Sequence, residues 1–200
     1  MSNAAIILAA GASRRMGSAK PLLDWGGEPL LIAEIRTLEA AGIESVIVVL
    51  GARAQLVRAQ LGALTKRTVF NPQWPQGRST SLVAGARALL ERPERPDAIV
   101  IQNVDQPTRT EIVTRLLEER SRADADAVQP ELDGHGGHPV VVAGTLLPEL
   151  AAVEETTFGL RRVLEAHPPL RLAFDDPIVR IDLDTPEDLK RARAQLAIAD

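Results

Sequence analysis

Short apolar runs rich in β-branched residues alternate with segments of helical periodicity along most of the chain. A run such as Ser45–Leu50 (SVIVVL) is uniformly apolar, which is typical of a strand that is buried on both faces of a parallel sheet. The predicted strands are Ala4–Ala10, Ser45–Leu50, Arg67–Phe70, Asp97–Ile101, Ala125–Gln129, Pro139–Val142, Leu170–Phe174 and Ile178–Leu183. The predicted helices are Pro29–Ala41, Arg53–Leu61, Thr80–Leu90, Thr110–Ser121, Thr157–Ala166 and Pro186–Leu196. The alternation predicts a three-layer α/β fold with helices on both faces of the sheet.

The composition is that of an ordinary globular domain. The chain has 200 residues, of which 45% are hydrophobic and 25% charged, and no linker interrupts the alternation, so we expect a single domain over residues 1–200. A net charge of -4 and an aromatic content of 2% give no support for nucleic-acid binding. The first residues lack a basic region and a run long enough to cross a bilayer, which predicts a cytoplasmic protein without a membrane partner.

The loop after the first predicted strand, Leu8–Lys20 (LAAGASRRMGSAK), combines glycine with three cations, Arg14, Arg15 and Lys20. Backbone N–H groups together with cations suit a bound phosphate, and loops after the strands of α/β sheets commonly carry ligands. The spacing matches neither a P-loop nor a dinucleotide-binding glycine motif. A solvated basic loop remains the alternative interpretation.

Carboxylates follow two later predicted strands. Asp105 comes shortly after Asp97–Ile101, where it suits either a magnesium ligand or a cap of the next helix. Asp182 and Asp184 lie two residues apart, so both would project to one face of a continuing strand, although Asp184 also suits a helix cap. Because the chain has no cysteine and three histidines, a hard cation held by carboxylates is favoured over a zinc site.

Five segments, taken in order, resemble the nucleotidyltransferase superfamily. They are LAAGASRRMGSAK (8–20), NPQWPQGRSTSL (71–82), VDQP (104–107), GGHPV (136–140) and IDLDTPEDL (181–189). The chain is thereby identified as resembling the MobA-like NTP transferases, and it is most similar to the molybdenum cofactor cytidylyltransferases. The family usually has Leu-Gly before the aspartate of the third segment, where this chain has Asn103 and Val104.

The resemblance implies a Rossmann-like mixed, mostly parallel sheet of the nucleotide-diphospho-sugar transferase type. It implies Mg²⁺-dependent transfer of CMP from CTP to the phosphate of molybdopterin cofactor, with release of pyrophosphate. The N-terminal half would bind the nucleotide and the C-terminal half the acceptor. A molybdoenzyme would be the client that receives the product.

The resemblance also assigns roles residue by residue. The implied nucleotide-binding residues are Leu8, Ala9, Ala10, Gly11, Arg15, Lys20 and Ser81. The implied catalytic residues are Arg15, Lys20 and Asp105. The implied acceptor-binding residues are His138, Pro139 and Arg161. The implied metal ligands are Asp105 and Asp184, with Asp182 in reserve.

Alternative functions stay open from the sequence. The guanylyl branch tends to carry LAGG where this chain has LAAG, so Ala10 favours CTP over GTP. A sugar phosphate or a phospholactate-like acid are alternative acceptors for the same chemistry. A non-catalytic nucleotide sensor or cofactor chaperone would not need metal ligands, and Asp105, Asp182 and Asp184 count against it.

Overall fold

The structure is a computed structural model that describes residues 2–154 and 159–198. The strands are β1 (Asn3–Ala9), β2 (Ser45–Leu50), β3 (Thr68–Phe70), β4 (Ala98–Asn103), β5 (Ala127–Leu132), β6 (His135–Gly136), β7 (Val140–Ala143) and β8 (Leu170–Ala173). The helices are α1 (Leu30–Ala40), α2 (Ala54–Leu61), α3 (Arg78–Leu90), α4 (Thr110–Ala123), α5 (Leu147–Leu150), α6 (Leu160–Ala166) and α7 (Pro186–Leu196). Short 3-10 helices lie at Lys20–Leu22, Gly62–Arg67, Trp74–Gln76, Gly144–Leu146 and Pro177–Arg180.

The strands form one mixed, mostly parallel sheet of eight strands in the order β3-β2-β1-β4-β7-β5-β6, with β8 paired to β5. β1 is parallel to both β2 and β4, and β2 is parallel to β3. β7 runs antiparallel between β4 and β5, and β6 is antiparallel to β5. The fold class predicted from the sequence is therefore confirmed.

Alternate side chains of the central strands enter two separate cores, one on each face of the sheet. In β1, Ala5 and Ile7 pack into the core beneath α1, α2, α4 and α7, whereas Ala4 and Ile6 pack beneath α3, α5 and α6. Burial of both faces explains why these strands are uniformly apolar in sequence. This three-layer packing fixes the edge of the sheet at which the loops after β1 and β4 meet.

Helix α3 approaches the sheet especially closely at Gly85. A Cβ built on Gly85 would lie 2.4 Å from Ile6 Cγ2 and 3.0 Å from Val49 Cγ2. Only glycine leaves room for β1 and β2 at this crossing. The contact sets the height of the N-terminus of α3 above the sheet, and that end of α3 faces the candidate site.

The predicted strand Ile178–Leu183 is wrong. Residues 177–180 form a 3-10 helix and residues 181–184 have no regular structure. The side chains of Ile178, Val179, Ile181 and Leu183 all enter the core beneath α1, α2, α4 and α7. A strand would send neighbours such as 178 and 179 to opposite faces, so the burial of both on one side requires a different backbone path.

Other differences are at element boundaries. α3 begins at Arg78 rather than Thr80, and the short elements α5 and β6 have too few residues to show a period in the sequence. The predicted helix Thr157–Ala166 corresponds to α6, and its first two residues lie outside the described residues. Within residues 2–154 and 159–198, no helix has the length and apolarity that crossing a membrane requires.

Candidate active site

Three carboxylates from separate parts of the chain converge beyond the carboxyl ends of β1 and β4. Ligand oxygens of Asp105, Asp182 and Asp184 lie within 4.8 Å of one another. Asp105 follows β4 in the turn at residues 104–106, and the other two precede α7. Although residues 181–184 form no strand, the two-residue spacing still brings both carboxylates to Asp105.

Backbone hydrogen bonds hold this cluster together. The N–H of Leu183 donates to the carbonyl of Asp105 at 2.8 Å, and the N–H of Val104 donates to the carbonyl of Leu8 at 3.2 Å. The first bond joins the segment that carries Asp182 and Asp184 directly to the Asp105 turn. The cluster is therefore fixed by main-chain geometry and not by side-chain contacts alone.

Neither Asp105 nor Asp184 caps a helix. The N-cap of α4 is Arg109, and no side chain caps that helix. α7 is capped by Thr185, whose hydroxyl accepts from the N–H of Asp188 at 3.2 Å, while Asp188 in turn accepts from the N–H of Thr185 at 2.8 Å. The capping alternative considered for both carboxylates is thus excluded, and each remains available to a ligand.

Lys20 lies between two of the carboxylates. Its Nζ donates to Asp105 and to Asp184, each at 2.8 Å, and its side chain is 11% exposed. Partial burial lowers the pKa of Lys20, but the hydrogen bonds and charges of Asp105 and Asp184 outweigh that effect and raise the pKa overall. The lysine is therefore a permanent cation at this point.

The pKa values of Asp184 and Asp182 are shifted in opposite directions. The hydrogen bond from Lys20 lowers the pKa of Asp184 against a smaller effect of burial, and Arg15, 2.9 Å away, adds to the lowering. Burial and the negative charges of Asp105 and Asp184 raise the pKa of Asp182. The first carboxylate is held ionised, whereas the second is destabilised as an anion and gains from a nearby cation.

This set of donors fits a hard divalent cation. All three ligands are carboxylates, and the ammonium of Lys20 lies where a positive charge is favoured between Asp105 and Asp184. Magnesium prefers oxygen ligands and is commonly held by one or two protein carboxylates plus phosphate and water. The residues present thus can bind a metal ion.

A cavity of about 380 Å³ opens beside the cluster. The sequence-predicted residues that line it are Leu8, Ala9, Ala10, Gly11, Arg15, Lys20, Ser81, Asp105 and Asp184. Trp74 forms part of the wall and packs on Gly51, where an added Cβ would lie 2.6 Å from the Trp74 side chain. Ser81 is oriented by Asn71, whose Nδ2 donates to its hydroxyl at 3.0 Å. We call this space the first cavity.

A second cavity of about 650 Å³ adjoins the first. His138 and Arg161 line this second cavity, whereas Pro139 is buried and lines neither of them. Burial and the positive charge of Arg78 lower the pKa of His138 to about 4, so its imidazole is neutral near pH 7. Its buried Nδ1 has no hydrogen-bond partner among the described residues.

Several lining residues were not predicted from the sequence. Gln129 and Arg171 line the second cavity, and Arg78 and Asn103 line both cavities. Arg171 reaches the space because Gly136 has no side chain: a Cβ there would lie 1.8 Å from Arg171 Nη1. Gln129 and Arg171 lie in strands with an ordinary hydrophobic pattern, so that pattern did not mark them as cavity residues. Arg78 directly follows Gly77 in the second of the five family-like segments (71–82), and that position was the one available clue.

The chain matches a known protein family and is similar to several characterised proteins. The MobA-like NTP transferase domain matches residues 5–171. Nicotine blue oxidoreductase of Paenarthrobacter nicotinovorans is 32% identical over 93% of this chain and 94% of its own length. A molybdenum cofactor guanylyltransferase of Cereibacter sphaeroides is 33% identical over 96% and 95% of the two chains. The molybdenum cofactor cytidylyltransferase of Escherichia coli is 26% identical over 94% of each.

Solved structures agree with this relationship. The Rv0371c protein of Mycobacterium tuberculosis has a TM-score of 0.80 and 28% identity, with 96% of this chain and 97% of that chain covered. A complex of the same protein with manganese has a TM-score of 0.75 and 25% identity over the same shares. From the sheet order, the carboxylate cluster and the match over residues 5–171, the chain belongs to the MobA-like NTP transferase family of nucleotidyltransferases.

Proposed function

We propose that this protein transfers CMP from CTP to the phosphate of molybdopterin cofactor and releases pyrophosphate in a Mg²⁺-dependent reaction. The observation that carries the proposal is that Lys20, Asp105 and Asp184 line the first cavity, which shares three lining residues with the second. Two substrates that must react with each other need two connected spaces with the charge-stabilising groups close to their junction.

The first cavity suits the nucleotide. Its small residues Ala9, Ala10 and Gly11 leave room for a base and ribose beside the backbone, and Arg15 and Lys20 supply positive charge for the triphosphate. Ser81, held by Asn71, presents a hydroxyl to the same space. A nucleotide bound in this way would have its α-phosphate directed toward Asp105 and Asp184, which line the same cavity.

A magnesium ion held by Asp105 and Asp184, with Asp182 in reserve, would neutralise charge on the reacting phosphates. The acidic character of the ligands suits this role, and manganese in the complex of the Mycobacterium tuberculosis relative is a hard cation of the same kind. The lowered pKa of Asp184 keeps this carboxylate ionised and ready to bind at neutral pH.

The acceptor would occupy the second cavity, bounded by His138 and Arg161 and close to Pro139. An oxygen of its phosphate attacks the α-phosphorus, a new P–O bond forms, and the bond from the α-phosphorus to the leaving pyrophosphate breaks. A phosphate monoester has a second pKa near 6, so this nucleophile is already ionised and needs no general base. The neutral His138 agrees with a role in hydrogen bonding and not in proton abstraction.

The choice of CTP rests on Ala10, and the choice of acceptor on the relatives. Both cytidylyl- and guanylyltransferases of molybdenum cofactor are similar to this chain at comparable coverage. The relative named for an oxidoreductase activity means that family membership alone does not determine the reaction. The cation-binding cluster beside a basic loop supports phosphate transfer here.

The direct test is pyrophosphate release with each NTP, with Mg²⁺, in the presence and absence of molybdopterin cofactor. We expect release that requires both CTP and the acceptor. Asp105→Asn keeps the size of the side chain but removes its charge, and should lower turnover about 100- to 1,000-fold, as for the loss of one preorganised charge-stabilising group. Asp175→Asn, at an exposed position away from the site, is the matched control.

Other outcomes would change the proposal in defined ways. Release with GTP in place of CTP would retain the mechanism and move the protein to the guanylyl branch. Release with a sugar phosphate would replace the acceptor. Full activity of a folded Asp105→Asn variant would contradict the assigned role of the carboxylate cluster.

A further inference from the structure

We propose that Arg78 binds the attacking phosphate of the acceptor at the junction of the two cavities, an inference that rests on the proposed function. Arg78 is the first residue of α3 and follows Gly77, whose φ of 131° is accessible mainly to glycine. This turn brings the arginine to the edge of the sheet where the cavities meet.

The junction of the two cavities is formed by the residues that line both of them. Among the described residues, those that line both cavities are Leu8, Arg78 and Asn103. Leu8 is apolar, and the amide nitrogen of Asn103 donates to the side chain of Gln106. Arg78 is therefore the charged group that both cavities share within the described part of the chain.

Within residues 2–154 and 159–198, no carboxylate forms an ion pair with the guanidinium of Arg78, whereas Arg15 pairs with Asp184 and Arg161 with Glu165. A guanidinium presents several N–H groups in a planar fork that matches two phosphate oxygens. An exposed arginine that pairs with no described carboxylate is thus suited to bind an anionic ligand at this junction.

The charge of Arg78 acts on the second cavity. After burial, it is the next contribution to the lowered pKa of His138, which lines that cavity. The positive charge of Arg78 therefore reaches the space in which the acceptor phosphate would lie.

The reaction needs such a cation. Two phosphate groups, one of the acceptor and one of the nucleotide, must come into contact although both are negative. In this assignment Arg15 and Lys20 neutralise the triphosphate, and Arg78 neutralises and aligns the nucleophile. Arg78 moves no proton, because the acceptor oxygen that forms the new P–O bond is already ionised.

Two quantities distinguish this role from general nucleotide binding. The KM for molybdopterin cofactor reports on the acceptor, and quenching of tryptophan fluorescence by Mg·CTP reports on the first cavity, where Trp74 lies. For Arg78→Ala we expect the acceptor KM to rise at least about 10-fold, as for loss of a charge-assisted hydrogen bond. The Kd for Mg·CTP should change less than about 2-fold, and Arg78→Lys should recover part of the loss.

The matched control is Arg87→Ala, which removes the same side chain from an exposed position on the same helix outside both cavities. A weaker Kd for Mg·CTP with an unchanged acceptor KM would make Arg78 a triphosphate ligand and overturn the proposal. A large rise in the acceptor KM of Arg171→Ala, with no rise for Arg78→Ala, would assign the acceptor phosphate to Arg171 and also overturn the proposal.

A second measurement separates this inference from the proposed function. Binding of inorganic phosphate is followed by calorimetry on the full chain saturated with Mg²⁺ and a non-hydrolysable α,β-methylene analogue of CTP. Phosphate binding that is lost in Arg78→Ala and kept in Arg87→Ala supports the inference even if molybdopterin cofactor proves to be the wrong acceptor. Equal phosphate binding by wild type and Arg78→Ala, or none by wild type, overturns it.

Discussion

At the scale of single residues, the site depends on charged side chains whose protonation is controlled by their surroundings. Lys20, Asp105 and Asp184 form one compact ion cluster. The sequence indicated Asp105 through the apolar run before it, and it favoured Asp184 over Asp182 only through the family resemblance. It gave no comparable signal for Arg78, because the importance of that residue depends on which cavities its side chain borders.

A buried acid supports the turn that carries Asp105. Glu34 on α1 is 1% exposed, and its Oε1 accepts from the N–H of Thr108 at 3.3 Å. The amide nitrogen of Gln102 donates to the carbonyls of Asn103 and Gln106. Among the described residues, Glu34 Oε2 and Gln102 Oε1 have no hydrogen-bond partner. The hydrogen bonds of Thr108 and Gln102 lower the pKa of Glu34, but burial has the larger effect. Burial accordingly raises the pKa of Glu34 well above its ordinary value.

This acid makes stability depend on pH in a defined direction. Above the ordinary pKa of 4.5, the unfolded chain releases the Glu34 proton while the folded protein keeps it, so the free energy of unfolding falls as pH rises. Glu34→Gln keeps an acceptor and a donor but cannot ionise. Its stability relative to wild type should therefore increase with pH above about 5, by up to about 1.4 kcal/mol per pH unit.

Urea denaturation from pH 5 to 8 measures this difference. Glu44→Gln, the same substitution at an exposed position, is the control. Parallel pH profiles of Glu34→Gln and wild type would contradict a protonated Glu34.

At the scale of secondary-structure elements, the sequence predicted what its periodicity encodes. The doubly buried strands β1, β2 and β4 are recognisable because both faces are covered by helices. The segment Ile178–Leu183 was misread because a uniformly apolar run does not distinguish a buried strand from an irregular segment that fills a core. Its carboxylates reached the predicted place through the hydrogen bond from Leu183 to Asp105.

The crossing of α3 over the sheet gives a prediction at this scale. Gly85→Ala improves helix propensity by about 1 kcal/mol, but its Cβ would collide with Ile6 and Val49, and overpacking typically costs about 1–3 kcal/mol. We expect the cost of overpacking to exceed the gain in helix propensity, so that the free energy of unfolding falls by about 1 kcal/mol.

Gly11→Ala is the informative counterpart. Nothing lies within 4 Å of a Cβ built on Gly11, which lines the first cavity. This variant should keep the stability of wild type but bind Mg·CTP more weakly, because the added methyl group occupies space proposed for the nucleotide. Denaturation and fluorescence titration of both variants check the pair. A fully stable Gly85→Ala would show that α3 can shift without cost.

At the scale of the whole molecule, ligand binding should stabilise the fold because the site is built from residues that are far apart in sequence. Lys20 and Asp184 are 164 residues apart in sequence and contact each other directly. At a concentration 100 times its Kd, Mg·CTP should add about 2.7 kcal/mol to the free energy of unfolding. For a chain of this size that corresponds to a rise in Tm of about 5–10 °C.

Thermal denaturation with CTP plus Mg²⁺, with CTP plus a chelator, and with GTP plus Mg²⁺ measures this coupling. Asp184→Asn should reduce the shift because it removes one ligand and one partner of Lys20. An equal rise in Tm with and without Mg²⁺ would show that the nucleotide binds independently of the carboxylates.

The bond between Leu183 and Asp105 also bears on the order in which the protein gains its activity during synthesis. Asp182 and Asp184 follow all eight strands in chain order, so they are synthesised after the strands of the sheet and after the basic loop that carries Lys20. A nascent chain thus has a sheet and a basic loop long before it has a complete set of carboxylates. The three-carboxylate cluster is assembled only when residues 182–184 dock on the turn that carries Asp105, which is a later event than the synthesis of the sheet itself.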